Sequence, residues 1–221
     1  MRCMQLIVAF VFVLLAGEGL QAEILITEIM YNPASRENIP AQTEWLEIYN
    51  TGKETVSLDG WYLADEDGQT ERFPEKLKIK SKEAIVFIPG HQTVDDFRAA
   101  WPGKFKVVAI EKWNKGGMKG LANSPSDINE ILRLYNATGR VVDEVNYDDT
   151  KPWPSDAKQG PSIYLLPNKL GADKNDHGEN WARSEAGKHG GRHNKITQDY
   201  NKKDTGSPGV VKAKKRKKRK R

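Results

Sequence analysis

The region behind the N-terminal apolar run contains three β-rich segments, each ending at turn residues. They cover residues 24–33, 44–52 and 56–65. Within the second segment, Leu46 and Ile48 alternate with polar or aromatic neighbours, as in a strand that buries one face against a core. Proline and glycine close the segments, because proline lacks a backbone donor and glycine accepts positive φ. The pattern predicts a protein of short β-strands and specifies almost no catalytic chemistry.

Later segments continue this pattern. A hairpin is predicted from the β-runs 128–135 and 140–147, because Gly139 between them allows the positive φ of a tight turn. One short helix is predicted from Thr93 to Trp101, with Thr93 as its N-terminal cap. Further strands are predicted at 56–63 (bent at Asp59-Gly60), 84–88, 106–110 and 162–166. Many short strands and one helix favour an all-β sandwich, with long polar loop insertions.

Residues 1–22 have the three-part layout of a secretory signal peptide. Arg2 gives a positive start, residues 6–16 are continuously apolar, and Ala22 precedes the predicted cleavage. The apolar run is shorter than the roughly 20 residues that span a bilayer, so no membrane span is expected after cleavage. The alternative is an uncleaved anchor. We expect a secreted or extracytoplasmic protein, in the periplasm or at the cell surface, without disulfides because the only cysteine is Cys3.

The last ten residues, 212–221, contain nine basic residues and one alanine. The formal net charge of the chain is +5, of which this tail carries +9, so residues 23–211 total −4. Such a composition predicts disorder and attraction to nucleic acid, an envelope polymer or anionic lipid. The alternative is a solubilising tail without a specific partner. The predicted polyanion-binding residues are Lys212, Lys214, Lys215, Arg216, Lys217, Lys218, Arg219, Lys220 and Arg221.

Candidate metal ligands are sparse. The segment 173–179 carries oxygen ligands at short spacing but does not complete an EF-hand loop. It is therefore a weak candidate for a calcium site, and the alternative is a polar turn. Its candidates are Asp173, Asn175, Asp176 and Glu179. His189 and His193 have i, i+4 spacing, but the two glycines between them disfavour the helix that such a metal pair needs. We therefore expect no cofactor apart from this calcium alternative.

Glu28 and Glu47 fall on neighbouring predicted strands, a placement that suits a paired-carboxylate acid–base site. No cleft is indicated, so we expect them to pair with lysine or arginine on a sheet face. Trp113 and Trp153, predicted in loops, are the better candidates for stacking on a sugar or peptide, but core packing is the favoured interpretation because each ring buries a large apolar area. No phosphate loop, nucleophile elbow or dinucleotide motif is present, and no enzyme activity is expected.

Taken in order, these segments resemble the lamin tail domain, an immunoglobulin-like sandwich. The matching stretches are 26–33, 44–52, 58–63, 132–135 and 139–147, with 160–162 and 206–209 as C-terminal landmarks. The exported bacterial branch is the most similar, because a signal peptide is present and a coiled-coil rod is not. The match is looser at 90–126 and 168–205, where the chain carries insertions. The resemblance implies a binding or structural module and brings no catalytic residues.

These observations predict three parts: a signal peptide (1–22), a lamin-tail-like sandwich (23–211) and a polybasic tail (212–221). The first functional hypothesis is a secreted, non-catalytic module that associates with anionic surface or matrix material through its tail, with protein partners left open. The alternative is an accessory nucleic-acid-binding module that works with an exported nuclease or phosphatase. A third hypothesis is a hydrolase that depends on His189 or His193.

Overall fold

The computed structural model describes residues 24–34, 44–114, 116–121, 130–155, 159–196 and 204–211. The predicted signal peptide and polybasic tail lie outside these ranges. The described elements are, in chain order, β1 (Ile24–Met30), β2 (Trp45–Asn50), β3 (Val56–Ser57), β4 (Tyr62–Ala64), β5 (Lys78–Ile79), β6 (Ala84–Pro89), α1 (Val94–Ala100), β7 (Lys106–Ile110), β8 (Glu130–Tyr135), β9 (Val141–Tyr147), β10 (Ile163–Leu165), a 3-10 turn (Gly178–Asn180), β11 (Trp181–Arg183), β12 (Arg192–His193) and β13 (Thr205–Gly206). Within these ranges, no helix has the length and apolar character needed to cross a membrane.

Six strands form the larger sheet, in the order β11-β10-β1-β2-β6-β7. Neighbours are antiparallel except β6 and β7, which run parallel because helix α1 connects them as a crossover. The helix begins as predicted, since the Thr93 hydroxyl accepts the backbone N–H of Asp96 at 3.1 Å. The predictions of this helix and of the strand at 106–110 are therefore confirmed.

The smaller sheet has three strands, in the order β4-β8-β9. Strands β8 and β9 are the predicted hairpin, and Gly139 has the expected positive φ of 81°. The single bent strand predicted over 56–63 is wrong, because β3 and β4 belong to different sheets. Gly60, at φ 72°, turns the chain between them, and β3 pairs with β5 instead.

An apolar core lies between the two sheets. Alternate residues of the larger sheet, such as Leu46, Ile48 and Phe87, pack against Leu132 and Leu134 of the smaller one, and all are fully buried. Each buried side chain of this kind contributes about 1.5–3 kcal/mol. The arrangement confirms the predicted all-β, immunoglobulin-like sandwich with one short helix.

The opposite face of the larger sheet is also covered, and β1, β2 and β6 are buried along their whole length. Phe97 lies in α1 and Trp101 directly follows the helix. Both rings pack edge-on against Trp45, with centroids 6.2 and 5.9 Å from the Trp45 centroid. We call this helix-covered side the outer face. The first insertion therefore builds a second, smaller core on the sandwich.

The rest of the first insertion folds back onto the sandwich as the loop 111–121. The carboxylates of Glu71, Asp65 and Glu44 accept backbone N–H groups of this loop at 2.6–3.0 Å. Trp113 is fully buried in the main core. The ligand-stacking interpretation of Trp113 is wrong, and core packing accounts for it.

The second insertion also contributes structure that the pattern did not predict. Strand β11 adds an edge to the larger sheet, and β12 pairs with β13 near the C-terminus. Trp181 packs against Trp153 with ring centroids 5.8 Å apart and donates its indole N–H to the Asn175 carbonyl at 2.7 Å. Trp153 is only 7% exposed, so its ligand-stacking interpretation is wrong as well.

Candidate functional site

Two buried carboxylates face each other on the outer face of the larger sheet. Glu28 of β1 and Glu47 of β2 are direct partners in the antiparallel register, and each is 1% exposed. A β-bulge between Ile26 and Glu28 shifts the register. Because side chains alternate along a strand, this extra residue moves Glu28 from the face of Ile26 to the outer face.

Hydroxyl and backbone donors surround Glu28. Its Oε1 accepts from the Ser162 hydroxyl at 2.6 Å and from the Ser207 N–H at 2.7 Å, while its Oε2 accepts from the Ser207 hydroxyl at 2.6 Å. The Ser184 hydroxyl lies 2.7 Å from that of Ser162 and 3.3 Å from Oε1 of Glu28, to which it adds a longer hydrogen bond. Three close donors on one carboxylate favour its ionised form.

Glu47 has fewer donors. Its Oε1 accepts from the Thr27 hydroxyl at 2.9 Å, and its Oε2 accepts from the Gly209 N–H at 2.6 Å. Among the described residues, no lysine or arginine forms an ion pair with either glutamate. The predicted neighbouring placement is correct, but the predicted Lys or Arg partner is wrong, because serine, threonine and backbone groups take that role.

Residues 204–211, here called the strap, supply the decisive donors. The strap crosses the outer face, where β13 pairs with β12 and the Ser162 N–H donates to the Thr205 carbonyl at 2.9 Å. Gly206 lies so close to Trp45 that a Cβ would come within 2.8 Å of the indole. Gly209 has a positive φ of 80°, which a residue with a side chain rarely adopts.

Arg192 of β12 fastens the strap from the side. Its guanidinium donates to the Pro208 carbonyl at 3.0 Å and lies 5.9 Å from the ring centroids of both Trp101 and Phe105. Burial lowers the pKa of Arg192, whereas the nearby charges of Glu28 and Glu47 raise it. This cation therefore offsets part of the negative charge of the pair without contacting it in an ion pair.

Burial dominates the ionisation of the pair. It raises the pKa of Glu28 above its usual range, against the lowering effect of the hydrogen bonds from Ser162, Ser207 and Ser184. Burial, followed by the charge of Glu28, raises the pKa of Glu47 to about 8. Two carboxylates this close titrate as one unit, and the pair holds a proton through the neutral range.

A small cavity of about 10 Å³ adjoins the pair, between Tyr164, His189 and the strap residue Val210. This is roughly the room of a single water molecule. General acid–base catalysis needs a substrate within hydrogen-bond reach of the acid, and this cavity admits nothing larger than water. The geometry suits a structural lock that holds the chain's own C-terminal strap.

The predicted calcium segment serves a structural role. Asn175 is fully buried, and its amide donates to both oxygens of Asp143 at 2.9 and 2.7 Å. Asp173 is exposed and pairs instead with half-buried Lys174 at 2.6 Å, and Asp176 and Glu179 are also exposed. In the parts of the chain that the structure describes, no group of three or more His, Cys, Asp or Glu side chains could hold a metal ion.

The two candidate histidines do not lie on a helix. His189 occupies a turn at φ 48°, with its ring 5.8 Å from that of Tyr164. His193 lies on β12, and its Nδ1 is 2.9 Å from the Thr205 hydroxyl. The nine predicted polyanion-binding residues of the tail lie outside the described residues, so their role stays a prediction.

The comparison with known families supports the resemblance. The family model described as Lamin Tail Domain matches residues 20–149. This chain belongs to the lamin tail domain family. No curated protein matches the chain. The family is one of immunoglobulin-like binding or structural modules, in agreement with the observed sandwich.

The matched part of this lamin tail domain contains Glu28 and Glu47 but not their main partners. Ser162, Ser184 and the strap all lie beyond residue 149. Sequence reasoning missed this lock because its two halves are separated by up to 179 residues. The sequence does contain one usable signal, because Gly206-Ser207-Pro208-Gly209 matches a C-terminal landmark of the family resemblance.

Proposed function

We propose that this lamin tail domain is a secreted, non-catalytic binding module of the exported bacterial branch. In this proposal it associates with anionic surface or matrix material through residues 212–221. The observation that carries the proposal is the separation of charge, because the tail holds +9 and residues 23–211 total −4. Attraction to a polyanion therefore comes from the tail and not from the sandwich.

The attachment of the tail supports this role. Lys212 follows Val211 directly, and the strap that ends at Val211 is bonded to Glu28, Glu47 and Arg192. The strap thus holds the chain next to the outer face of the sandwich as far as Gly209. A charged segment with one fixed end can neutralise several anionic groups on a surface while the folded body stays outside it.

The carboxylate pair supports a non-catalytic assignment. Both glutamates are occupied by donors from the protein itself, and the adjoining cavity has room only for water. A hydrolase that used this pair would need at least one of the two carboxyl groups free to reach a substrate.

The test compares the chain from residue 23 with three variants of its tail. One variant lacks 212–221, one has all nine basic residues changed to glutamine, and one has every lysine changed to arginine. We expect retention on anionic vesicles at about 50 mM salt, a large loss at about 200 mM, and loss in the first two variants only. Retention by the deleted or neutralised variant would refute the proposal.

A duplex DNA arm in the same assay addresses the alternative of a nucleic-acid-binding accessory module. Binding to DNA that survives physiological salt, with weak retention on vesicles, would favour that alternative. Neutral vesicles serve as the control for apolar adsorption. The arginine variant keeps the charge and length of the tail, so it separates charge from lysine-specific chemistry.

A further inference from the structure

We propose that the strap is a proton-controlled clasp, closed while the Glu28–Glu47 pair keeps a proton and opened when the pair takes its second negative charge. The clasp itself follows from the geometry of the strap. Opening would release the end of the strap, Val211, from the outer face. What this release means for the polybasic tail rests on the proposed function.

The closed clasp depends on direct bonds between the strap and the pair. The Ser207 N–H and hydroxyl donate to Glu28 at 2.7 and 2.6 Å, and the Gly209 N–H donates to Glu47 at 2.6 Å. The strap also covers the pair, since both carboxylates are 1% exposed beneath it. Lifting the strap would remove these three bonds and let water reach both carboxylates.

The site is built for one negative charge. Glu28 receives three donors and is the natural holder of that charge, whereas Glu47 receives two. A second charge directly opposite the first would add repulsion in a buried environment. Only the opened form hydrates two charges well, so the second ionisation favours opening.

Other titratable groups around the pair must be considered. From the neighbouring elements these are Tyr49 of β2, Tyr164 of β10, Arg192 of β12 and His189 at the cavity. Burial raises the pKa of both tyrosines, so they stay neutral throughout the range considered. Arg192 stays charged throughout. The remaining groups are His189 at the cavity and His193, whose Nδ1 lies 2.9 Å from the Thr205 hydroxyl of the strap. Both are retained in Glu47→Gln, so a pH response caused by either histidine would persist in that variant. His189 is also removed in a control variant.

The sign of the effect follows from linkage. The pKa of Glu47 is about 8 in the closed form, and its ordinary value is 4.5. Opening is therefore favoured as pH rises from about 4.5 to about 8, by up to about tenfold per pH unit, and levels off above. Below pH 4.5 the clasp has its full stability.

The test measures hydrogen exchange at the Ser207 and Gly209 amides of the chain from residue 23, between pH 5.5 and 9. Rates are divided by the intrinsic exchange rate at each pH. We expect protection of both amides to fall several-fold to about tenfold per pH unit up to pH 8. In Glu47→Gln, which mimics the protonated acid, we expect a much weaker pH dependence of protection, because only Glu28 of the pair still titrates.

Two control variants isolate the pair. Glu44→Gln removes another buried carboxyl, whose pKa is raised to about 7 by burial but which binds the loop at Leu121 instead of the strap. His189→Gln removes the histidine at the cavity. Both should keep the pH response of the strap amides seen in the unsubstituted chain.

Two outcomes would overturn the clasp. In the first, the exchange protection of the Ser207 and Gly209 amides in the unsubstituted chain changes less than about twofold between pH 6 and pH 8. Linkage predicts a far larger change over this range. The other is the same pH response in Glu47→Gln.

If Glu47→Gln does not fold, Ser207→Ala replaces it. Loss of that hydroxyl should lower protection at every pH and leave the slope unchanged, and unchanged protection would count against the clasp. The exchange is also measured without residues 212–221, where the same result is expected. Failure of the tail to bind polyanions would therefore leave this test intact.

Discussion

Substitution of Asp143 should change stability in a way that depends strongly on pH. Asp143 of β9 is 4% exposed, and its Oδ2 accepts the Ile26 N–H at 2.7 Å. Strand β10 pairs with β1 only at Glu28 and Ile29, so Asp143 provides an acceptor for a part of β1 that β10 does not reach. The Asn175 amide donates to the same carboxylate.

Burial, the largest influence, raises the pKa of Asp143 from 3.8 to about 7. A raised carboxyl pKa means that the folded state prefers the protonated form, so stability is lost as pH rises from about 3.8 to about 7. At about 1.4 kcal/mol per pKa unit, the loss is about 4 kcal/mol in full and about 3 kcal/mol between pH 5 and pH 8. This is a large part of the 5–15 kcal/mol typical of a domain.

Asp143→Asn should remove this loss and keep the hydrogen bond to Ile26, while Asn175 exchanges its two donated bonds for one accepted bond. The new amide oxygen can accept the Ile26 N–H, and its NH₂ group can donate to Asn175 once that side chain turns over. The Oδ1 of Asn175 is buried without a partner in the structure, so the turned side chain gains an acceptor contact. Asp143→Ala should instead cost about 2–4 kcal/mol at pH 5, because it leaves buried donors unpaired.

The assay is urea unfolding at pH 5 and pH 8, followed by tryptophan fluorescence. The free energy of unfolding of Asp143→Asn, relative to the unsubstituted chain, should rise by about 3 kcal/mol from pH 5 to pH 8. Titration of Glu28 and Glu47 occurs in both chains and cancels in this difference. Asp173→Asn, at an exposed site of the neighbouring loop, should show no such trend. An equal effect of Asp143→Asn at both pH values would refute the reasoning.

Two further substitutions test the outer face. Trp101→Ala should lower the free energy of unfolding by about 3–5 kcal/mol, because it empties a fully buried site against Trp45, and urea unfolding measures the loss. Gly209→Ala should cost more than about 1 kcal/mol and reduce exchange protection of the strap, since φ is 80° and the new Cβ would lie 2.4 Å from Phe105. Gly187→Ala, at φ 86° with open space around it, is the matched control for the backbone effect alone, and an equal cost there would contradict the proposed clash.

The framework of the sandwich could be predicted from the sequence where local pattern and tertiary burial agree. Strand β2 alternates along its length, and the β8–β9 hairpin has a turn glycine at the required place. Helix α1 has its cap, its acidic first turn and its apolar face within nine residues. In each case the information lies within one short segment, which is the range over which periodicity and turn chemistry operate.

The strands of the second insertion could not be predicted in the same way. Strands β12 and β13 have two residues each, and β11 has three. Strands this short show no period, and what orders them is contact with distant residues. Gly206, for example, is required by its approach to Trp45, which precedes it by 161 positions in the sequence.

The carboxylate pair shows why local reasoning assigned the right residues the wrong partners. An exposed sheet face would favour lysine or arginine opposite a glutamate. Here the bulge turns Glu28 to a face that α1, Arg192 and the strap cover, and burial makes hydrogen bonds from hydroxyl and backbone groups the better solution. Whether a sheet face is covered depends on distant parts of the chain, so it cannot be predicted from the sequence pattern of one strand.

The two insertions explain why this face is covered at all. An antiparallel sandwich commonly leaves one face of each sheet in water, with polar side chains there. In this chain that face carries Trp45, Val86 and Ile88, which would be exposed without α1 from the first insertion. Ser184 and Arg192 of the second insertion, together with the strap, cover the remaining part, above Glu28 and Glu47. The residues that need covering lie within the matched range 20–149, whereas the strap that covers them lies beyond it. Burial of Glu47 in the matched part therefore requires the chain as far as Gly209.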